Sequence, residues 1–408
     1  MRLLIADKLH PRAVEELSAL PVSVEYEPDL TRESLEAKLP GVGILIVRST
    51  EVTAKAIESA TALNLIVRAG ASYATIDTRA ASRRGIYVAN CPGKNAAAVA
   101  ELVFGLMVAV DRRVVDAMIS LRSGEWLRSE YGKAEGLYGK TLGIAGLGAI
   151  GREVAIRARA FGMHVAAYSK SLTPSRATDL GITYAPNVVD LAKRSQVLSL
   201  HMPLTERTRK IIDERVLSAL PEHAILINTA RAELIDQEAL ATAVQKRRLR
   251  VATDVVLDEP RGSSQYPSGV QTFSPATADG GFVYGTPHIA ASTDQAQLAI
   301  ATEAVRVVRS FLLEGEVPNV INVLTSSVAK FQVVIRMLDK VGTFANVLSV
   351  IKRHGINVEE VTNTIFEGGG AACAKLRVLS RPSEACLREI RAFEEVLHVD
   401  VVTLPNLA

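Results

Sequence analysis

The stretch GKTLGIAGLGAIGREVA (139–155) decides the fold. TLGIAG is a short apolar run closed by glycine and reads as a strand. Gly146, Gly148 and Gly151 then fall at GxGxxG spacing, and Ile150, Val154, Ala158 and Phe161 recur at helical spacing. HVAAYS (164–169) reads as the next strand, so the stretch opens a βαβ unit. In that setting Gly146 permits a tight turn, Gly148 lets a pyrophosphate approach the backbone, and Gly151 lets helix and strand pack closely. The helix N-terminus at Ala149 and Ile150 offers free N–H groups and the positive end of a dipole to phosphate. The expectation is a dinucleotide site.

The same alternation extends in both directions. Upstream, LLIA (3–6), GILIV (43–47), NLIVRAG (64–70) and IYVAN (86–90) read as strands, with helical spacing over 12–20, 31–39, 53–62 and 77–84. A long helix with almost no breakers is expected from Ala96 to Leu121. Downstream, VLSLH (197–201), AILIN (224–228) and RVATDVV (250–256) continue the strands, again with helices between. Strands alternating with helices predict an α/β architecture, here two doubly wound parallel sheets. The region 261–285 is rich in Ser, Gly and Pro and reads as a long loop bordering a site. Helical spacing returns over 293–314, and PNVINV (318–323) reads as a strand rejoining the first sheet. From residue 330 the order is strand, helix, strand, Gly368-Gly369-Gly370 turn, strand, helix, strand, a ferredoxin-like βαββαβ domain. The expected division is 1–96 with 294–326, then 97–293, then 330–408.

Composition narrows the function classes. At about 150 residues per domain, 408 residues make two or three domains. Lys+Arg 47 against Asp+Glu 44 leaves a net charge of only +3, and no basic stripe argues for nucleic acid. The cluster Lys246, Arg247, Arg248 and Arg250 sits at an expected helix C-terminus, where cations favour the helix dipole. Three cysteines make no disulfide framework and suit a reducing, cytoplasmic compartment. MRLLIADKLHP reads as a first strand rather than a signal peptide, and the longest apolar region is interrupted by Glu101, so no membrane span is expected. Scattered His and Cys residues give no zinc signature.

The residue ending the second strand of a dinucleotide fold selects the cofactor, an acid there binding the ribose of NAD and repelling the 2′-phosphate of NADP. Here stand Ser169, Lys170 and Ser171. A cation with two hydroxyls favours NADP, with NAD left open. Hydride transfer also needs a proton donor or acceptor and a positive group on the substrate. Arg231 after AILINTA, Glu259 after ATDVVLD and His288 in GTPHIAAST lie at strand ends, where open α/β sheets place ligands.

The segments GKTLGIAGLGAIGREVA (139–155), SLHMPLTERT (199–208), LINTARAELID (226–236), DVVLDEP (254–260) and TPHIAAST (286–293), in this order, resemble the D-isomer-specific 2-hydroxyacid dehydrogenases. The resemblance covers the chain to about residue 325. It implies that Arg231 binds the substrate carboxylate and carbonyl oxygen, that His288 is the acid/base, and that Glu259 holds its imidazole. It also implies a cofactor lining from His201, Met202, Pro203, Thr208, Thr229, Ala230, Asp254 and Ala291.

Within the family the chain looks most like the members that oxidise 3-phosphoglycerate. VRST (47–50) and IVRAG (66–70) match their substrate motifs, implying substrate contacts from Arg48, Arg68, Ala69 and Gly70, and PGKNAAAVAE (92–101) adds Asn95. The tail resembles an ACT regulatory domain, with Asp339 and Gly342 as its ligand-loop residues and an amino acid as effector. A homodimer through the 96–121 helix, or a tetramer, is implied as well. The chain departs from the family at Ala71-Ser72-Tyr73-Ala74-Thr75, at Ile289-Ala290-Ala291, and in lacking an apolar strand before His288. Two other readings stay open: an NADPH-dependent glyoxylate or hydroxypyruvate reductase, favoured by Lys170, and a non-catalytic nicotinamide-sensing co-repressor.

Overall fold

The computed structural model describes residues 1–260, 280–324 and 327–405. The chain forms two compact units, Met1–Asn322 and Val323–Ala408.

The first unit holds two parallel sheets. Strands β1 (Arg2–Ile5), β2 (Ser23–Tyr26), β3 (Val42–Val47), β4 (Leu65–Arg68) and β5 (Tyr87–Asn90) lie in the order β2-β1-β3-β4-β5. Side chains alternate between the faces of a strand, so β3 buries Leu45 and Val47 on one face and Ile44 and Ile46 on the other. The second face is covered by the helix Asp294–Leu313 through Ile300, Ala304 and Val308. Continuous apolar runs such as GILIV thus mark strands covered on both sides.

The second sheet contains β6 (Thr141–Ala145), β7 (His164–Tyr168), β8 (Thr183–Tyr184), β9 (Val197–Leu200), β10 (Ile225–Asn228), β11 (Arg250–Thr253) and β12 (Phe282–Gly285). Their order is β12-β11-β10-β9-β6-β7-β8. The chain winds outward in one direction from β6 to β8 and in the other from β9 to β12. The crevice between β6 and β9 is therefore the switch point where such sheets bind ligands, and the glycine turn follows β6.

In the second unit, β13 (Phe331–Leu338), β14 (Val358–Ile365), β15 (Ala371–Val378) and β16 (Val396–Thr403) form an antiparallel sheet in the order β14-β15-β13-β16. The helices Thr343–Arg353 and Glu384–Arg391 bury Val347, Ile351, Leu387 and Ile390 in its core. This is the expected βαββαβ order.

Several local expectations fail. The helix expected over 96–121 breaks at Arg113, which takes φ 50° and separates helices Ala96–Arg112 and Val114–Arg122. A left-handed arginine leaves no trace in hydrophobic spacing. An apolar strand does precede His288: Phe282–Gly285 pairs with β11 at the sheet edge, so this part of the expected loop is ordered. Residues 261–279 of that loop lie outside the described residues. Strand β2 was not expected because none of its residues is buried. PNVINV forms no strand, only one antiparallel bridge, Ala89 to Val320, reinforced by Ile321 N–H donating to Val88 O. Phe161 caps the glycine-turn helix rather than lying in it, its ring 4.8 Å from that of Phe104.

Candidate active site

Buried polar side chains close four strands and tie down the loops beyond them. Asp7, just after β1, accepts hydrogen bonds from the backbone N–H groups of Arg48 (2.6 Å), Ser49 (3.0 Å) and Thr50 (3.0 Å) and from Ser49 Oγ (2.8 Å). Asn90, at the end of β5, donates to Ala71 O at 2.6 Å. Asn228, ending β10, accepts from Ala230 N–H and donates to Arg231 O at 2.9 Å. Asp254, just after β11, accepts from Thr286 Oγ1 (2.6 Å), Ile289 N–H (2.8 Å) and Ala290 N–H (2.8 Å). Sequence reasoning missed Asp7, Asn90 and Asn228. Their signal was a polar residue closing an apolar strand, as in LLIAD, IYVAN and AILIN.

These anchors present the chemistry. His288 Nδ1 lies 2.6 Å from Glu259 Oε2, while Glu259 Oε1 accepts from Val256 N–H. His288 itself, with φ 53°, and Asp258, the residue before Glu259, with φ 52°, sit on left-handed backbone. Such conformations persist where the surroundings over-determine them, as the Asp254 bonds do here. With Nδ1 held by the carboxylate, the other ring nitrogen is left to exchange a proton.

Arg48, Arg68 and Arg231 form a cationic group. Burial, then Arg48, lower the Arg68 pKa; Cys91 opposes them, Arg231 adds a smaller push down and Asp7 a still smaller one up. Among the described residues, Arg68 donates only to its neighbour's carbonyl, Ala69 O at 3.4 Å, and its buried Nε has no partner. The Arg231 side chain donates to Ala230 O at 2.6 Å. Gly70 makes room for the curled Arg68 side chain: a Cβ there would collide with Nη1, and its φ is +153°. Asn95 precedes helix Ala96–Arg112 as its N-cap residue and makes no side-chain capping bond.

At the glycine turn, Gly146 has φ +102°, and a Cβ there would lie 2.7 Å from the backbone of His201. A Cβ on Gly151 would lie 2.2 Å from Gly146 O, whereas one on Gly148 would meet nothing within 4 Å. Two glycines are thus required by the fold, and the third opens onto a gap. His201 Nε2 pairs with Ser199 Oγ at 2.8 Å, and burial pushes its pKa down to about 3. The buried Thr229 hydroxyl has no partner among the described residues. Thr208 is occupied within its own loop, donating to Pro203 O at 2.7 Å, and Met202 is buried. Ala291 O accepts from Gln297 Nε2. Ser169 is half-buried after β7, and Lys170 is exposed.

The profile described as "D-isomer specific 2-hydroxyacid dehydrogenase, NAD binding domain" matches residues 104–290. A hydroxypyruvate reductase from Thermotoga maritima is 41% identical over 278 residues, covering 68% of this chain and 87% of that protein. The chain belongs to the D-isomer-specific 2-hydroxyacid dehydrogenase family. A D-3-phosphoglycerate dehydrogenase from Methanocaldococcus jannaschii is 38% identical over 324 residues, 79% of this chain and 59% of its own length. The chain thus spans about three fifths of the length of such curated relatives. The crystal structure of NAD+-bound 3-phosphoglycerate dehydrogenase from Entamoeba histolytica superposes with TM-score 0.65 at 27% identity, over 79% of this chain and 99% of that one.

The site fits the family's dinucleotide. The uncapped N-terminus of helix Ala149–Ala160 follows the open Gly148, and the orphaned Thr229 hydroxyl offers a further polar contact. In the second unit, Asp339 and Gly342 lie between β13 and helix Thr343–Arg353, with Gly342 at φ +90° opening that helix.

Proposed function

We propose that this member of the family interconverts a 2-hydroxy acid and its 2-keto acid with a nicotinamide cofactor, and that the pair is 3-phosphoglycerate and 3-phosphohydroxypyruvate of serine biosynthesis. One observation carries the reading. Three guanidiniums, Arg48, Arg68 and Arg231, share one region, and none is ion-paired to a carboxylate among the described residues. Unpaired desolvated cations are costly unless an anion completes them, and a planar guanidinium binds phosphate or carboxylate through two parallel hydrogen bonds.

The cofactor supplies or accepts the hydride at C2. Arg231 holds the carboxylate and polarises the carbonyl oxygen. In the reducing direction His288 gives its proton to that oxygen, and in oxidation it takes the proton back. Glu259 fixes the ring and balances its positive charge. Gly146, Gly148 and Gly151 with helix Ala149–Ala160 hold the pyrophosphate. Ser169 and Lys170 take up a 2′-phosphate, so NADP is favoured and NAD is also accepted.

On this reading residues 1–96 and 294–326 are the substrate lobe, 97–293 the nucleotide lobe and 330–408 an ACT-like regulatory domain. In helix Val114–Arg122, Val114, Val115, Met118, Ile119 and Leu121 are apolar but none is buried, which supports a homodimer formed across this region. The cysteines are unbridged, in keeping with a reducing, cytoplasmic location, and among the described residues no helix is long and apolar enough to cross a membrane.

The test is the initial rate of NADPH and NADH oxidation with 3-phosphohydroxypyruvate, beside hydroxypyruvate and glyoxylate. Preference for the phosphorylated acid supports the reading. Preference for the others, with NADPH, supports the reductase that Lys170 favours. No turnover with any of them overturns the enzymatic reading.

A further inference from the structure

The five residues Cys91–Asn95 carry the chain from β5 to helix Ala96–Arg112, and they touch three parts of the first unit in succession. Cys91 N–H donates to Gly70 O at 3.0 Å, in the loop that carries Arg68. Gly93, at φ +74°, stands where a Cβ would lie 3.4 Å from Ala149 Cβ, at the start of the glycine-turn helix. Lys94 Nζ lies 3.1 Å from Glu303 Oε2, and Asn95 follows. Nothing in the reaction scheme uses Glu303.

Glu303 lies on helix Asp294–Leu313 and its side chain is 7% exposed. Besides Lys94, it accepts two bonds from Arg306 Nε and one from Nη2, and Asn319 Nδ2 donates to Oε1 at 2.6 Å. Asn319 belongs to the segment laid along β5, since Asn90 N–H donates to Asn319 O. One buried carboxylate therefore ties together a helix, the segment beside β5 and the crossover leaving β5. Asn90 in turn fixes Ala71, beyond Arg68 and Gly70.

We infer that Glu303 is a positioning residue for the reaction: through Lys94 and Asn319 it sets the crossover Cys91–Asn95 between the Arg68 loop and the glycine turn. The inference rests on the functional reading above. Releasing Lys94 would loosen the crossover at the point where it bridges the arginine loop and the helix that faces the cofactor. Displacements of about an ångström far from the reacting atoms can cost large factors in rate.

The experiment compares Glu303→Gln, Lys94→Met and Arg306→Met in the full chain. Arg306→Met removes the strongest partner of Glu303 but leaves its bond to Lys94, so it controls for plain loss of stability. Two readouts are taken: KM and kcat for 3-phosphohydroxypyruvate, and amide hydrogen exchange across residues 88–101. Glu303→Gln and Lys94→Met should each raise KM about tenfold with a smaller change in kcat. Both should speed exchange at the crossover, and the double variant should be no worse than the single ones. Arg306→Met should lower the melting temperature without either effect. Unchanged KM and exchange in the first two variants, or the same changes in Arg306→Met, would overturn the inference. Should the wild-type chain turn over none of the keto acids, the functional reading fails, and exchange at the crossover alone decides whether Glu303 holds it.

Discussion

Asp254 and His288 are linked although 34 positions apart in a chain of 408: the Asp254 carboxylate accepts from the backbone N–H groups of the two residues that follow His288, each at 2.8 Å. These bonds pin the chain just after the left-handed backbone at His288, and Glu259 holds the ring at Nδ1. His288→Ala should lower kcat by about a thousandfold while leaving cofactor affinity intact, as read by quenching of NADPH fluorescence. Glu259→Ala should cost less and fall on kcat more than on KM. Retained turnover in His288→Ala would remove it from the acid/base role.

Arg68 poses function against stability. Its guanidinium is desolvated, crowded by Arg48 and Arg231 and short of partners. Arg68→Met should therefore raise the melting temperature of the ligand-free protein. The same change should raise KM for the phosphorylated substrate about thirtyfold, the loss of one charge-assisted contact worth about 2 kcal/mol. Lower stability together with unchanged KM would make Arg68 a structural residue.

The glycines of the turn separate folding from binding. Gly151→Ala should destabilise the protein, because the added methyl meets Gly146 O at 2.2 Å. Gly148→Ala meets nothing within 4 Å and has an ordinary backbone, so the melting temperature should hold. Dinucleotide affinity should nevertheless drop, because the methyl fills the gap a pyrophosphate needs. Calorimetry on both variants checks the pair, and normal affinity in Gly148→Ala would move the phosphates elsewhere.

The pH dependence of stability carries the mark of His201. Burial lowers its pKa from 6.5 to about 3. Between those values the unfolded chain binds a proton that the folded chain refuses, so stability falls as pH drops through this window. His201→Asn can keep a hydrogen bond to Ser199 and cannot titrate. Its unfolding midpoint should fall less than that of the wild type between about pH 7 and about pH 4. Parallel profiles would show the ring to be exposed to protons.

The sequence by itself determined the two parallel sheets, the βαβ dinucleotide unit, the βαββαβ order of the tail and the family. The sheets, the unit and the tail rest on local periodicity and on glycines whose spacing is contiguous; the family rests on the resemblance of five motif segments in order. His288, Glu259 and Arg231 stood out as candidates because strand ends are where such sheets place ligands. Only the tertiary structure decided the rest. Strand β2 carries no buried residue to announce it, β12 exists through its pairing with β11, and the Arg113 break is a backbone choice that spacing does not register. The anchors Asp7, Asn90 and Asn228 read as ordinary polar residues until their partners arrive, those of Asp7 more than 40 positions away, and the hold of Asp254 on Ile289 and Ala290 shows only in the fold. Glu303 is one more acid on a helix until Lys94 and Asn319 close on it. Local pattern writes the elements, but a buried polar group takes its meaning from whichever distant donor satisfies it.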